Sequence, residues 1–194
     1  KSRQGRLEGV CITGGEPTLQ ADLPDFLRQI RDLGYRIKLD TNGYRPDRLQ
    51  AILEAGLADM VAMDVKNSPA RYAETVGLEP FDLLPIHKSL ELLRRGTTPY
   101  WLRTTVVQEY HTLDDIRDIG LWVAGAPKFA LQSFKDSGGC IRPGLHPVEP
   151  QVLEQMAEIT CFDTDLLKEM MEENKQAQEE VKPESAKSLE DELR

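Results

Sequence analysis

The stretch from residue 9 to residue 19, GVCITGGEPTL, decides how the rest of the chain is read. Residues 9–13 form a short, mostly apolar run that predicts a buried strand, and Gly14 and Gly15 then turn the chain tightly. A helix follows, because Leu23, Phe26, Leu27, Ile30 and Leu33 recur at intervals of three and four and Gly34 stands where such a helix ends. The unit then repeats. Residues 36–40 (RIKLD) predict a second strand closed by Thr41, Asn42 and Gly43, and residues 47–55 a helix stopped by Gly56. Residues 60–66 (MVAMDVK) predict a third strand, followed by a loop with Pro69, a short helix near Tyr72 and a helix over 86–95 ended by Gly96. A fourth strand is expected over 99–107, a helix over 113–123, a fifth strand over 129–134 and a last helix over 152–159. Alternation this regular implies parallel strands joined by right-handed helical crossovers, as an open sheet or as a full or partial barrel.

Composition narrows the class. Of 194 residues, 40% are hydrophobic and 29% charged, and no apolar run approaches the roughly 18 residues needed to cross a bilayer. The 33 Asp and Glu against 24 Lys and Arg leave a net charge of -9, which argues against a broad basic surface for nucleic acid. Residues 163–194 hold 11 acidic and 5 basic side chains, so the chain divides into a nearly neutral body, 1–162, and an acidic tail, 163–194, that is disordered or helical. Cys11, Cys140 and Cys161 are odd in number and widely spaced, which suits a reducing cytoplasm and forms no legible metal site. Cys11, inside the first strand, is expected in the core, and Cys140, in a glycine-rich loop, is a candidate for lining a site. His87, His111 and His146 show no metal-ligand spacing and are expected in surface or capping roles, and Tyr100 and Trp101 are expected to pack.

Parallel α/β folds bind ligands at the carboxyl ends of their strands. Those ends supply Gly14, Gly15 and Glu16, then Asp40, Thr41 and Asn42, then Asp64 and Lys66, with Arg103 within the fourth strand and Gln132 within the fifth. Adjacent glycines expose backbone N–H and C=O groups, Glu16 can accept from an ammonium, and Lys66 and Arg103 can pair with a carboxylate. Asp40 and Asp64 facing one pocket would repel unless a cation or a bound ammonium lay between them, so the set suggests a small polar or zwitterionic ligand. Each piece alone has a plainer reading, as a turn, a helix cap or a surface pair. Their recurrence at successive strand ends outweighs it.

The motifs VCITGGEPTL at 10–19, LDTNG at 39–43 and MDVK at 63–66 resemble the strand-end motifs of radical S-adenosylmethionine (SAM) enzymes. Order and spacing are similar to the activating enzymes of glycyl radical proteins. With FALQSF at 129–134 and the segment from Gly139 and Cys140 to Pro143, the likeness is greatest to the anaerobic ribonucleoside-triphosphate reductase activating proteins and runs over residues 5–159. The resemblance implies a partial (β/α) TIM-like barrel that binds SAM and a 4Fe-4S cluster. It implies that Gly14, Gly15 and Glu16 hold the methionine amino group, that Asp40, Thr41 and Asn42 lie beside its carboxylate and ribose, and that Asp40 and Asp64 hold a monovalent cation. Lys66 and Arg103 would neutralise the carboxylate, and Gln132 would lie near the ribose or adenine. The implied activity is reductive cleavage of SAM to a 5'-deoxyadenosyl radical that takes hydrogen from a glycine of a partner such as anaerobic ribonucleotide reductase. Electrons would come from flavodoxin or ferredoxin, in the cytoplasm, with no nucleic-acid or membrane partner.

The chain departs from the family in one respect: it holds no CxxxCxxC, the cluster motif expected ahead of the GGEP strand. The start at Lys1 leads to the expectation that the N-terminal strand and cluster loop belong upstream of it, and that this chain alone is inactive and poorly stable at its bared strand edge. Two other readings stand beside the first: a radical SAM enzyme acting on a small molecule, and a cluster-free domain that binds SAM or only a partner.

Overall fold

A computed structural model of the chain describes residues 6–136, 138 and 142–160. The chain divides into Lys1–Thr160 and Cys161–Arg194, and every element below belongs to the first unit. The expectations for the 163–194 tail, for Cys140 and for Cys161 fall outside the described residues.

The strands are β1 (Gly9–Ile12), β2 (Arg36–Thr41), β3 (Met60–Asp64), β4 (Tyr100–Val106) and β5 (Phe129–Ser133). Between and after them come α1 (Leu23–Asp32), α2 (Pro46–Glu54), α3 (Tyr72–Val76), α4 (Leu84–Arg95), α5 (Leu113–Trp122) and α6 (Pro150–Thr160). All strand pairs are parallel and the spatial order is β1-β2-β3-β4-β5. Chain order without a reversal point distinguishes a barrel wall from a doubly wound sheet, because right-handed crossovers then carry every helix to the same face. The sheet is open, which is the partial barrel that the strand pattern left as one of its alternatives.

Strand alternation sorts the side chains. Ile37, Leu39, Val61, Met63, Leu102 and Val106 are fully buried on the helix side. There they meet Leu27 and Ile30 of α1, Leu49 and Ile52 of α2, Leu90 and Leu93 of α4, and Ile116 and Ile119 of α5 in one hydrophobic cluster. The opposite face carries Cys11, Lys38, Asp40, Met60, Asp64, Trp101, Arg103, Thr105 and Gln132, all at least partly accessible.

That division corrects three expectations. Cys11 is exposed instead of lying in the core, because alternation turns Val10 and Ile12 toward the helices and Cys11 toward the open face of an edge strand. Phe26 shares the helical spacing of Leu23 and Leu27 yet is 50% exposed, since α1 flanks that edge strand and no described element lies beyond it. Trp101 is also on the open face, with the Lys128 ammonium 3.8 Å from its ring centroid, whereas Tyr100 is buried. The third and fourth strands are shorter than their apolar runs, ending at Asp64 and Val106. Two 3-10 turns, Pro17–Leu19 and Pro69–Arg71, each open on a proline that pre-sets the first turn.

Gly43 shows how tightly a strand end is fixed. Its φ is 74°, and a Cβ built there would collide with the thioether end of the buried Met63. Its carbonyl accepts a bond from Ser89 Oγ of α4 at 2.6 Å, so the turn cannot swing away freely. Gly43→Ala is expected to cost about 2–3 kcal/mol from left-handed backbone strain and overpacking together, read as a fall in urea midpoint with an unchanged slope.

Candidate functional site

The carboxyl ends of β1 to β4 converge on a polar cleft of about 140 Å³. Gly15 and Glu16 come to it from the β1 loop, Asp40, Thr41 and Asn42 from β2, Asp64 and Lys66 from β3, and Arg103 from β4. Thr13, which the strand pattern does not single out, completes the lining. Gly14 opens instead onto a neighbouring depression of about 320 Å³ bounded by Pro17, Leu23 and Phe26. Gln132 lines neither; it is exposed on β5, in register with Thr105 and one row beyond the pair Arg103 and Ala130.

Glu16 joins the first two strand ends. It N-caps the Pro17–Leu19 turn, its Oε1 accepting from Thr18 N at 3.1 Å, Thr18 Oγ1 at 2.5 Å and Thr41 Oγ1 at 2.8 Å. Its Oε2 accepts from Asn42 N at 2.6 Å. The Asn42 side chain turns back to accept from Tyr44 N at 2.9 Å, so this segment is at once a turn and part of the cleft. Gly14 and Gly15 have φ of 90° and 51°, and a Cβ on either would meet nothing within 4 Å. The backbone there is bare toward the open side, which is how a loop presents N–H and C=O groups to a ligand.

Charges dominate the rest. Arg103 spans the two carboxylates, with Nη1 3.3 Å from Asp40 Oδ2 and Nη2 2.8 Å from Asp64 Oδ1. Asp40 is also paired with Lys38, and Asp64 with Lys66 at 3.0 Å. Burial alone would raise the Asp40 carboxyl, but the Lys38 ammonium and the Arg103 guanidinium outweigh it and hold the group below its ordinary range. Sequence reasoning requires a positive charge between the aspartates, and Arg103 is the group found there. Lys38 was not singled out, although alternation from Asp40 places it on the same face; its Nζ also lies 3.7 Å from Cys11 Sγ.

Beneath β3 and β4 lies a group whose expected role changes. His111 was expected at the surface or as a cap, but it is 4% exposed and bridges the loops after the two strands. Its Nδ1 is 3.1 Å from Val107 N and 3.2 Å from Val107 O, and its Nε2 is 2.9 Å from Lys66 O. Burial lowers the imidazole more than its two backbone contacts raise it, so the ring is held neutral. The helix cap next to it belongs to Thr112, whose hydroxyl accepts from Asp115 N at 3.2 Å while Asp115 bonds back to Thr112 N. His87 leans on Trp122, and His146 pairs with Glu109 at 2.7 Å.

An open glycine backbone, carboxylates and cations around one small cleft fit the zwitterionic end of an amino-acid-type ligand such as SAM. The residues do not fit an iron-sulfur cluster. Among the described residues no group of three or more Cys, His, Asp or Glu could hold a metal, and no reaction step is derived through one.

The profile of the Radical SAM superfamily matches residues 1–123. The chain belongs to the radical SAM superfamily. It is 33% identical over 132 residues to a candidate glycyl-radical enzyme activating enzyme of Methanocaldococcus jannaschii, a match covering 66% of this chain and 55% of that protein. A shorter match, 44% over 59 residues, is to the 7-carboxy-7-deazaguanine synthase of Methanopyrus kandleri and covers 29% of this chain and 23% of the synthase. The chain thus spans about half, or less, of the length of these relatives. Among solved structures, a domain of pyruvate-formate lyase-activating enzyme from Bacteroides vulgatus superposes with a TM-score of 0.57 at 18% identity, over 79% of this chain and 93% of that one. At that identity the likeness is one of fold.

Proposed function

We propose that the cleft binds SAM by its methionine end and that the chain is the SAM-binding part of a glycyl radical activating enzyme. The observation that carries this reading is the meeting of Glu16, Asp40, Asp64, Lys66 and Arg103, from four successive strands, around one cleft beside a bare glycine backbone. The Gly14 and Gly15 carbonyls, with Glu16 fixing their loop, take the amino group. Lys66 and Arg103 take the carboxylate, Thr41 and Asn42 border the ribose, and Gln132 lies toward the adenine. Asp40 and Asp64 receive a monovalent cation as Arg103 turns to the ligand. On one-electron reduction by the electron donor, SAM would break its C–S bond to give methionine and a 5'-deoxyadenosyl radical able to abstract hydrogen; the chain's own residues would bind SAM, orient it and neutralise its carboxylate. The relative from M. jannaschii supports a glycyl radical enzyme as partner. Within this proposal the partner is anaerobic ribonucleoside-triphosphate reductase, the electron donor flavodoxin or ferredoxin, and the location the cytoplasm.

The match to a synthase favours a second reading, in which the same SAM site serves a small-molecule substrate on the open face. Calorimetric titration of the full chain with SAM tests what the two readings share. Saturable binding that falls at least tenfold in Lys66→Met supports it, and no saturation at millimolar SAM sinks it. Incubation of the gene's full-length product, after iron and sulfide treatment, with the reductase, SAM and a reductant then separates them. A glycyl radical signal in electron paramagnetic resonance supports the activase, and its absence in a protein that takes up iron rejects that partner. SAM binding without iron uptake leaves the cluster-free domain.

A further inference from the structure

Lys66 lies two residues past the last residue of β3, where the sheet ladder no longer holds the chain. Its ammonium is nevertheless placed, 3.0 Å from Asp64 Oδ2 at the mouth of the cleft, on a side chain 39% exposed. Something other than the ladder must fix its backbone. Val65 is secured on both sides, its N–H donating to Arg103 O at 2.8 Å and its carbonyl accepting from Thr104 Oγ1 at 2.7 Å. The Lys66 carbonyl meets His111, and the Lys66 backbone also interacts with the hydroxyl of the buried Tyr72. Nε2 faces the Lys66 carbonyl at 2.9 Å, an acceptor that needs a donor, so the ring proton sits on Nε2; Nδ1 then accepts from the Val107 N–H at 3.1 Å, while the Val107 carbonyl, 3.2 Å from Nδ1, takes its bonds from Tyr110 N and His111 N. The next residue is anchored to the same loop, since Asn67 Nδ2 donates to Tyr110 O at 2.8 Å.

We propose that His111 is the positioning residue of Lys66: its neutral, Nε2-protonated ring ties the backbone after β3 to the loop after β4, and so presents the Lys66 ammonium to the carboxylate of the bound ligand. This rests on the reading of the cleft as a SAM site. His111 touches neither ligand nor reacting atom; it acts through Lys66. A flexible lysine on an unanchored loop would have to be ordered by the ligand itself, and part of the carboxylate's contribution to binding would be lost. The role therefore has a signature that a general structural role lacks. It affects recognition of one functional group of the ligand and leaves the rest of the ligand alone.

The test is titration of the full chain with SAM and with decarboxylated SAM, which lacks only the carboxylate. The unaltered chain is expected to prefer SAM by about tenfold or more, the ordinary contribution of one charge-assisted pair. His111→Asn keeps an acceptor for the Val107 N–H but is too short to reach the Lys66 carbonyl. Its preference should fall to that of Lys66→Met while its affinity for decarboxylated SAM stays within about twofold. In the double variant the two losses should not add. His111→Gln reaches the Lys66 carbonyl with its Nε2 and should keep the preference. An unchanged preference in His111→Asn, or an equal loss for both ligands, overturns the proposal. If His111→Asn does not fold, His111→Thr, whose hydroxyl likewise cannot reach the Lys66 carbonyl, takes its place: a preference that falls to the Lys66→Met level and is kept in His111→Gln supports the role, and an unchanged preference overturns it. Failure of the unaltered chain to bind either ligand instead overturns the reading of the cleft, and is seen before any variant is made.

Discussion

Arg103→Met should lower the thermal midpoint at neutral pH by roughly 4–12 °C, and the deficit should shrink as the pH falls through the carboxylate range. The guanidinium reaches both Asp40 and Asp64, and its side chain is 17% exposed. Deleting it leaves two half-buried carboxylates with only Lys38 and Lys66 to offset them. Breaking a fully buried pair costs roughly 3–5 kcal/mol; partial exposure here reduces that to about 2–3 kcal/mol, at about 2–4 °C per kcal/mol in a domain of this size. Asp40 sits below its ordinary value of 3.8, so its stabilisation is present above that value and is lost as pH falls through the lower, folded-state value. Once Asp40 is protonated in both proteins, Arg103 no longer compensates its charge and the difference between them should narrow. Circular dichroism melts at pH 7 and at a descending series of pH values below 3.8 check this. A deficit of equal size throughout would mean that Arg103 acts through packing alone. Arg103→Lys should recover only part of the loss, because an ammonium cannot fork between two strands.

The fold was legible because its signals are local. Apolar runs of strand length, helical spacing in residues 23–33 and glycines at helix ends all lie within a few residues of what they determine. The cleft was largely legible for a related reason. In a parallel sheet every strand's end reaches the same edge, so Glu16, Asp40, Asp64 and Lys66 could be gathered without knowing their distances. What escaped depends on register and on neighbours. That Arg103 stands between the aspartates follows from the pairing of Asp64 with Arg103 across β3 and β4, which no single strand encodes. Cys11 and Phe26 looked internal because apolar periodicity does not say which strand is an edge. His111 is buried by contacts to Lys66, 45 residues away, and its own surroundings, a polar loop before a capped helix, suggest the reverse. The turn and binding readings of residues 41–43 turned out not to compete, since the Asn42 side chain shapes the turn while its N–H anchors Glu16.

Glu16→Ala is expected to have the largest effect on binding, reducing SAM affinity about a hundredfold or more. Four donors converge on this carboxylate, and two of them are backbone N–H groups, from Thr18 and Asn42. Hydrogen bonds to a charged acceptor contribute roughly 1.5–3 kcal/mol each. Water can replace some of them at a partly exposed site, so a net loss of about 3 kcal/mol is the reasonable expectation, and every 1.4 kcal/mol is tenfold. The loss should reach the ligand because the glycine pair has no tether of comparable strength among the described bonds, and without Glu16 its carbonyls must be ordered by SAM. Glu16→Gln separates anchoring from contact. An amide keeps one acceptor for Thr18 and Thr41 but turns an NH₂ toward the Asn42 N–H, a donor against a donor. Hydrogen exchange without ligand should then show the Asn42 amide markedly less protected and the Thr18 amide little changed. If instead both amides keep their protection while SAM binding falls, Glu16 touches the ligand directly and the tie between β1 and β2 is secondary.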